Sequence, residues 1–248
     1  MLGFAVGGLL LAAVGARWAL GVNALSFAAS AAVVRLGIRA RPATRAATGS
    51  VMADSLGGVR AVLSHRDVRR LLLLRWLVPT CAVAPEALAA AYIASLHLPS
   101  RVVGVWLCVV PAGMVLADLL GGRLLGPARQ RRLVLPTALM TVVPLLGFAL
   151  HPGLAVALPL LAVVGLGYAH GLGLDAVLMA TVPAELQNRA LAVDSAGLMV
   201  LQGAGFLLWG AVALELPLAG TVALAGACGV VAVLWLLPGV LRAAPVGT

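Results

Sequence analysis

The stretch GIRARPATRAATGSVMADSLGGVRAVLSHRDVRR, residues 37–70, is the longest polar segment of the chain and separates two groups of apolar segments. Two apolar segments precede it and six follow it. Within it, apolar residues recur at the spacing of one helical face; they are Met52, Leu56, Val59 and Leu63. Because arginines flank this pattern, we expect an amphipathic helix that lies along the cytoplasmic lipid surface.

The composition outside this stretch is that of a membrane protein. Of the 248 residues, 62% are hydrophobic and only 10% are charged, whereas soluble domains carry about 25% charged residues. Apolar segments recur as far as residue 241, which does not fit a cleaved signal peptide followed by a polar domain. A helix needs ~20 apolar residues to cross ~30 Å of hydrocarbon. The sequence therefore predicts an all-α, polytopic membrane bundle of about eight transmembrane helices, at 2–15, 18–36, 71–96, 102–120, 133–150, 154–180, 190–212 and 217–237.

The basic residues give the predicted orientation. All 17 of them are arginine, and if the spans alternate, all but Arg17 and Arg101 fall on one side of the membrane. The positive-inside rule makes that side cytoplasmic, so we expect a multi-pass protein of the cell membrane with both termini in the cytoplasm. The arginines lie in short connections without interleaved aromatic residues, which argues against nucleic-acid binding despite the net charge of +9.

Motifs of soluble enzymes and metal sites are missing from the sequence. It contains no nucleophile elbow, no phosphate-binding loop and no His-Glu-x-x-His motif. Cys81, Cys108 and Cys228 are single, far apart and embedded in apolar runs, so we expect them to pack as small hydrophobic residues. The sequence therefore predicts neither an enzyme nor a metal or cofactor site.

Ionisable residues inside apolar spans are candidates for function, because each costs about 2.5–3.5 kcal/mol on insertion scales. Glu86 lies in the middle of its span and directly follows Pro85, in TCAVAPEALAAAY (80–92). A proline in mid-helix bends the axis and frees a carbonyl group. We expect Glu86 to face polar space at a kink, where it lines a substrate path or carries a proton; the alternative is a static bond to another helix.

A second candidate segment is GLGYAHGLGLDAV (165–177), which carries His170 and Asp175. Five residues correspond to about 140° between their directions, so we expect no direct pair within the helix. Each is a candidate for the substrate or proton path; the alternatives are a packed histidine and a structural ion pair. Gly167 and Gly171 are expected to let a neighbouring helix approach closely.

Three further stretches carry a family resemblance. GFAVGG (3–8) is similar to the G-P-x-x-G-G stretch in the fifth helix of exporters of the major facilitator superfamily, with Phe4 in place of the proline. The small residues Gly3, Gly7 and Gly8 would serve close helix packing. WALGVNALSF (18–27) and VPAELQNRALAVDSAGLMVLQGAG (182–205) resemble the sixth helix and the connection from the tenth to the eleventh helix in the bacterial branch with siderophore and macrolide exporters. GMVLADLLGGRLLGPARQRR (113–132) echoes the family's cytoplasmic motif G-x-x-x-D-R-x-G-R-R.

The resemblance implies a domain organisation. The eight predicted spans would be helices five to twelve of a twelve-helix transporter that is truncated at its N-terminus. Residues 1–36 would form the last two helices of the N-terminal bundle, the first of them incomplete, and residues 37–70 the cytoplasmic linker. Residues 71–241 would form a six-helix C-terminal bundle, and residues 242–248 a cytoplasmic tail.

The resemblance also implies a function and a gate. We expect proton-coupled efflux of small amphipathic molecules by alternating access, with the lipid bilayer, the substrate and protons as partners. Charges at cytoplasmic helix ends would pair across the two halves when that side closes, or would serve only as caps and surface ion pairs; they are Asp118, Arg123, Arg131, Arg132, Glu185, Arg189 and Asp194. The alternatives are an incomplete, inactive transporter fragment, or a membrane permease or scaffold subunit that needs a partner.

Overall fold

A computed structural model describes residues 2–37 and 51–243, and in these residues every regular element is helical. Two short 3₁₀ turns, Gly147–Leu150 and Ala184–Leu186, join longer helices. The α-helices are α1 Leu2–Gly37, α2 Val51–Ser64, α3 Arg66–Ala82, α4 Ala84–Ala87, α5 Ala89–Ser95, α6 Arg101–Leu124, α7 Pro127–Leu146, α8 Leu154–Gly167, α9 His170–Thr181, α10 Gln187–Glu215 and α11 Leu218–Ala243.

Most of these helices are long and apolar enough to cross a membrane. Six candidate spans occur in the described residues, and α3 to α5 form a seventh if they are taken as one span that bends by 42°. The break between α8 and α9 is milder, so residues 154–181 form one span. The predicted polytopic helical bundle is confirmed.

The N-terminal helix differs from the sequence prediction. The predicted spans 2–15 and 18–36 are one continuous helix, α1, of 36 residues. The connection Gly15-Ala16-Arg17 contains no proline, and alanine and arginine favour helix, while one glycine costs only about 1 kcal/mol. The described residues therefore contain six spans, or seven with the bent one, where the sequence predicted about eight. Since the prediction of two cytoplasmic termini needs an even number of crossings, it now depends on how α1 crosses the bilayer.

The core of the bundle surrounds α3. This helix packs against α7, α10 and α11, and its residues Leu71, Leu72, Leu74 and Val78 are almost inaccessible to solvent. A second cluster lies around Trp106, where α6, α8 and the end of α7 meet. In contrast, α1 packs on α6, and its described side chains are exposed. The described structure thus consists of a packed six-span bundle with α1 alongside it.

The amphipathic helix predicted in the linker is present as α2, and its contacts match the predicted apolar stripe in part. Val62 is 1% exposed and Gly58 is buried, whereas Val59, a member of the predicted apolar stripe, is 37% exposed. α2 packs against α3 and α10. Leu63, another member of the predicted stripe, packs against the same core cluster as Val62. Contact of α2 with the lipid surface stays a prediction.

Candidate functional site

The span formed by α3, α4 and α5 is interrupted on both sides of the predicted kink, and its 42° bend lies between Ala87 and Ala89. The helix ends at Ala82 and again at Ala87, on either side of Pro85 and Glu86. Two buried tryptophans bind carbonyl oxygens beside the break: Trp106 Nε1 donates to the Pro85 oxygen at 2.8 Å, and Trp209 Nε1 donates to the Thr80 oxygen at 2.7 Å. A proline has no N–H to donate within the helix, and these indoles satisfy carbonyl groups that the irregular backbone exposes.

Glu86 lines an open pocket at this break. The walls are mainly apolar and include Val83 and Val110, with the ring of Trp106 at one side. Gln202 from α10 and Tyr168 complete the polar lining. Glu86 itself is exposed.

The pocket lies where two broken spans meet. Tyr168 is in the gap between α8 and α9, and Glu86 is in the short helix α4 between the two breaks of the other span. Gln202 and Val110 are near the middle of α10 and α6. Broken helices at mid-membrane depth form the substrate sites of many transporters, because irregular backbone is tolerated there only beside a cavity.

The polar groups of this pocket are available to a ligand. Within residues 2–37 and 51–243, the Glu86 carboxylate, the Gln202 amide and the Tyr168 hydroxyl form no side-chain hydrogen bond or ion pair. An ionisable group is costly at this depth unless it meets water, a proton or a ligand. The arrangement can therefore bind a small molecule that has an apolar body and one polar or charged group.

A second polar cluster, the Arg75 cluster, consists of Arg75, Asp175, Asp194 and Trp76. Arg75 Nη1 binds Asp175 Oδ1 at 2.6 Å, and Arg75 Nη2 binds Asp194 Oδ2 at 2.7 Å. Trp76 Nε1 donates to the backbone oxygen of Asp194 at 3.0 Å and to its Oδ1 at 3.2 Å. These bonds connect α3, α9 and α10.

This cluster decides two sequence predictions. Asp194 was expected at a cytoplasmic helix end, as a gate charge or as a cap or surface ion pair, and its side chain is only 9% exposed and is bound to Arg75. Asp175 is in the ion pair that the sequence analysis gave as its alternative. Arg75 was missed as a site residue, since it was counted only as a charge near the membrane edge. The available signal was its position after the apolar run Leu71 to Leu74.

His170 is buried away from the pocket lining. Its Nδ1 donates to the Gly167 oxygen at 2.8 Å and lies 3.3 Å from Thr141 Oγ1. The absence of a direct bond to Asp175 was expected, and in the described residues Asp175 pairs with Arg75 instead. These contacts are those of a packed histidine, the alternative given for this residue.

The remaining gate candidates differ in their exposure and contacts. Asp118, Arg123, Arg132 and Glu185 are exposed and make no ion pair in the described part of the chain. Arg131 is half-buried. The stem of Arg189 lies over Gly58 of α2. Asp118, Arg123, Arg132 and Glu185 therefore stay without an ion pair in the described bundle, and a gate between two halves stays a prediction.

The predicted packing glycines divide into three groups. Gly167 lies directly against the backbone of Thr141, as expected of a packing residue. The prediction for Gly171 was wrong, because a side-chain carbon there would meet nothing within 4 Å. Its helix turns this position away from α7, while Gly173 takes the contact with Gln130 and Val134. The surroundings of Gly3, Gly7 and Gly8 lie outside the described part of the structure.

Comparison with known proteins identifies the family of this chain. The family model of the major facilitator type described as "Transmembrane secretion effector" (MFS_3) matches residues 1–244. No curated protein and no solved structure matches the chain. The match spans both α1 and the six-span bundle that holds the pocket. The chain therefore belongs to the transmembrane secretion effector family of major facilitator transporters.

Proposed function

We propose that this multi-pass membrane transporter exports small amphipathic molecules from the cell by proton-coupled alternating access, and that the pocket at Glu86 is its substrate site. The observation that carries the proposal is the meeting of two broken spans around a carboxylate that has no partner among the described residues. The family supplies the transporter class. The substrate class and the coupling ion are proposed from the pocket.

The lining of the pocket supports an amphipathic substrate. Apolar walls such as Val83, Leu107 and Val110 would hold an apolar body, while three polar side chains would orient one polar group. Binding sites for small molecules commonly combine an apolar lining with few polar groups. A strongly polar solute would lose its hydration against these walls without enough replacement hydrogen bonds.

Glu86 is the preferred proton carrier among the candidates. Asp175 and Asp194 share the cation Arg75, so a proton on either carboxylate would have to break an ion pair. Glu86 has no such pair and opens onto the pocket. Substrate and proton would therefore meet at the same carboxylate, which couples their movements.

The Arg75 cluster supports movement of the bundle as one body. It fixes α3, α9 and α10 to one another, and these helices or their continuations carry the pocket residues Val83, Glu86 and Gln202. Alternating access in this architecture is the rocking of one helical half against the other around a site that keeps its shape. The exposed charges Arg132 and Glu185 would then be free to pair across the halves when the cytoplasmic side closes.

The test is dye efflux from cells that express the chain, with a neutral probe, Nile red, and a cationic probe, ethidium. Glu86→Gln keeps the shape of the side chain but removes its charge, and we expect it to abolish pH-driven efflux. Glu215→Gln, at the exposed end of α10, is the matched control and should leave efflux unchanged. Efflux by Glu86→Gln at the unmodified rate, with equal amounts in the membrane, would remove the pocket from the mechanism.

A further inference from the structure

The charges that line the pocket have a single sign. Glu86 is the one ionisable carboxylate in the lining, and no lysine, arginine or histidine is part of it. The arginine nearest to Glu86 along the same span is Arg75, whose charge is already shared by Asp175 and Asp194. The electric potential inside the pocket is therefore negative when Glu86 is ionised, and the apolar walls screen it less than water would.

The lining offers few ligands for an inorganic cation. Ca²⁺ takes six to eight oxygen ligands and Mg²⁺ six, whereas the pocket presents oxygen atoms from the side chains of Glu86, Gln202 and Tyr168 only. Most of its surface is apolar instead. A cation that fits these walls must bring its own apolar groups.

The aromatic rings add a second attraction for such a cation. Tyr168 and Trp106 belong to the same lining as Glu86. The face of an aromatic ring attracts a cation within about 6 Å of its centre, most strongly where water is excluded. The position of Trp106 is fixed, because its indole donates to the Pro85 oxygen and its ring packs 5.1 Å from that of Tyr92.

We infer that the pocket selects lipophilic organic monocations over anions of the same size, with Glu86 as the residue that determines this selectivity and Tyr168 and Trp106 as its aromatic walls. The inference rests on the proposed function, since it names the substrate class of the same site. An anion would meet the carboxylate without any cationic side chain of the lining to offset the repulsion.

Two tetrahedral ions of nearly equal size and opposite charge test this selectivity: tetraphenylphosphonium and tetraphenylborate. Their binding to the purified chain in lipid nanodiscs is measured by equilibrium dialysis, with protein-free nanodiscs subtracted. Glu86→Gln should weaken the binding of tetraphenylphosphonium about tenfold, which corresponds to ~1.4 kcal/mol, and should not weaken that of tetraphenylborate. Glu86→Asp should keep the preference, and Glu215→Gln should change neither affinity.

A gain-of-function variant keeps the test decisive if Glu86→Gln does not fold. Gln202→Glu adds a second carboxylate to the same lining and should tighten tetraphenylphosphonium binding while it weakens tetraphenylborate binding. Equal responses of the two ions to both substitutions would overturn the inference. If Nile red efflux still required Glu86 in that case, the proposed function would stand without charge selectivity. If cation binding required Glu86 but efflux did not, the selectivity would stand and the proposed function would fail.

Discussion

At the scale of single residues, Asp175 and Asp194 bind the same arginine in different surroundings. The side chain of Asp175 is 58% exposed, and that of Asp194 is 9% exposed. An exposed ion pair contributes little, because water and salt screen it. Loss of a buried partner leaves a charge that neither water nor protein compensates.

Asp194→Asn is therefore expected to destabilise the bundle by about 3 kcal/mol. The substitution keeps the oxygen that accepts the bond from Trp76 and removes the charge that faces Arg75. Asp175→Asn should cost less than about 1 kcal/mol. Free energies of unfolding from titration with a denaturing detergent check both values. Equal losses for the two variants would contradict the assignment of Asp194 as the buried anchor.

The sequence predicted Glu86 as a candidate but not the Arg75 cluster, because the residues of that cluster are far apart along the chain. A lone carboxylate beside a proline in an apolar run is a local signal, readable from about ten neighbouring residues. The partners of Arg75 are 100 and 119 positions away along the chain. Without knowledge of which helices pack together, Asp194 could only be placed at a helix end.

At the scale of helices, a pair of glycines sets how closely α6 and α8 approach. A side-chain carbon added at Gly113 would lie 2.8 Å from the Cα of Gly165 and 2.8 Å from the Ala162 oxygen. One added at Gly165 would collide with the Val110 oxygen. The two backbones are in direct contact at this crossing, as small residues permit in membranes.

Gly165→Ala should consequently force α6 and α8 apart and destabilise the chain by about 1–3 kcal/mol, the usual cost of overpacking. It should also disturb the pocket, because Val110 belongs to its lining. Gly171→Ala is the matched control: space around this residue is open, so the change should be neutral or slightly stabilising. Thermal midpoints of both variants in detergent compare them. A tolerated alanine at Gly165 would show that the crossing is looser than described.

The continuity of α1 is testable by one distance. Spin labels at Ala5→Cys and Ser30→Cys, with Cys81, Cys108 and Cys228 replaced by serine, are separated by 25 residues. In one helix this separation is ~37 Å. Two antiparallel spans, as the sequence analysis expected, would bring the same positions to about the 10 Å of packed helices. A measured distance near the shorter value would restore the eight-span count and with it the two cytoplasmic termini.

The presence of most helices could be predicted from the sequence, but the residues at which they end could not. Each span of the bundle is visible in the sequence as an apolar run of sufficient length. Helix α2 is visible as a helical period in a polar stretch. The sequence analysis predicted a turn at residues 15–18, where the hydropathy changes. Such a change does not by itself end a helix, and α1 continues through these residues. On α2, both Val59 and Val62 are apolar, and only contact with α3 and α10 shows that Val62 is the buried one.

At the scale of the whole molecule, the family and the pocket agree on a membrane transporter. The family match extends over residues 1–244. The bundle contains a bent span, α3 to α5, that meets the join between α8 and α9 at the pocket. An ion cluster holds α3, α9 and α10 together, and a neighbouring helix, α1, packs on α6. The candidate pocket was predictable only as far as Glu86, because Tyr168 and Gln202 come from distant spans whose facing the sequence does not reveal.

Protection of Gln202→Cys by substrate tests the central claim most directly, namely that the pocket at Glu86 is where the exported molecule binds. In a variant without the three native cysteines, the rate of maleimide labelling at position 202 is measured with and without the dye, Nile red or ethidium, that the chain exports. Bound dye should slow labelling at position 202 and leave that of Glu215→Cys, at the exposed end of α10, unchanged. Labelling at position 202 that proceeds at the same rate while the dye is exported would contradict the account.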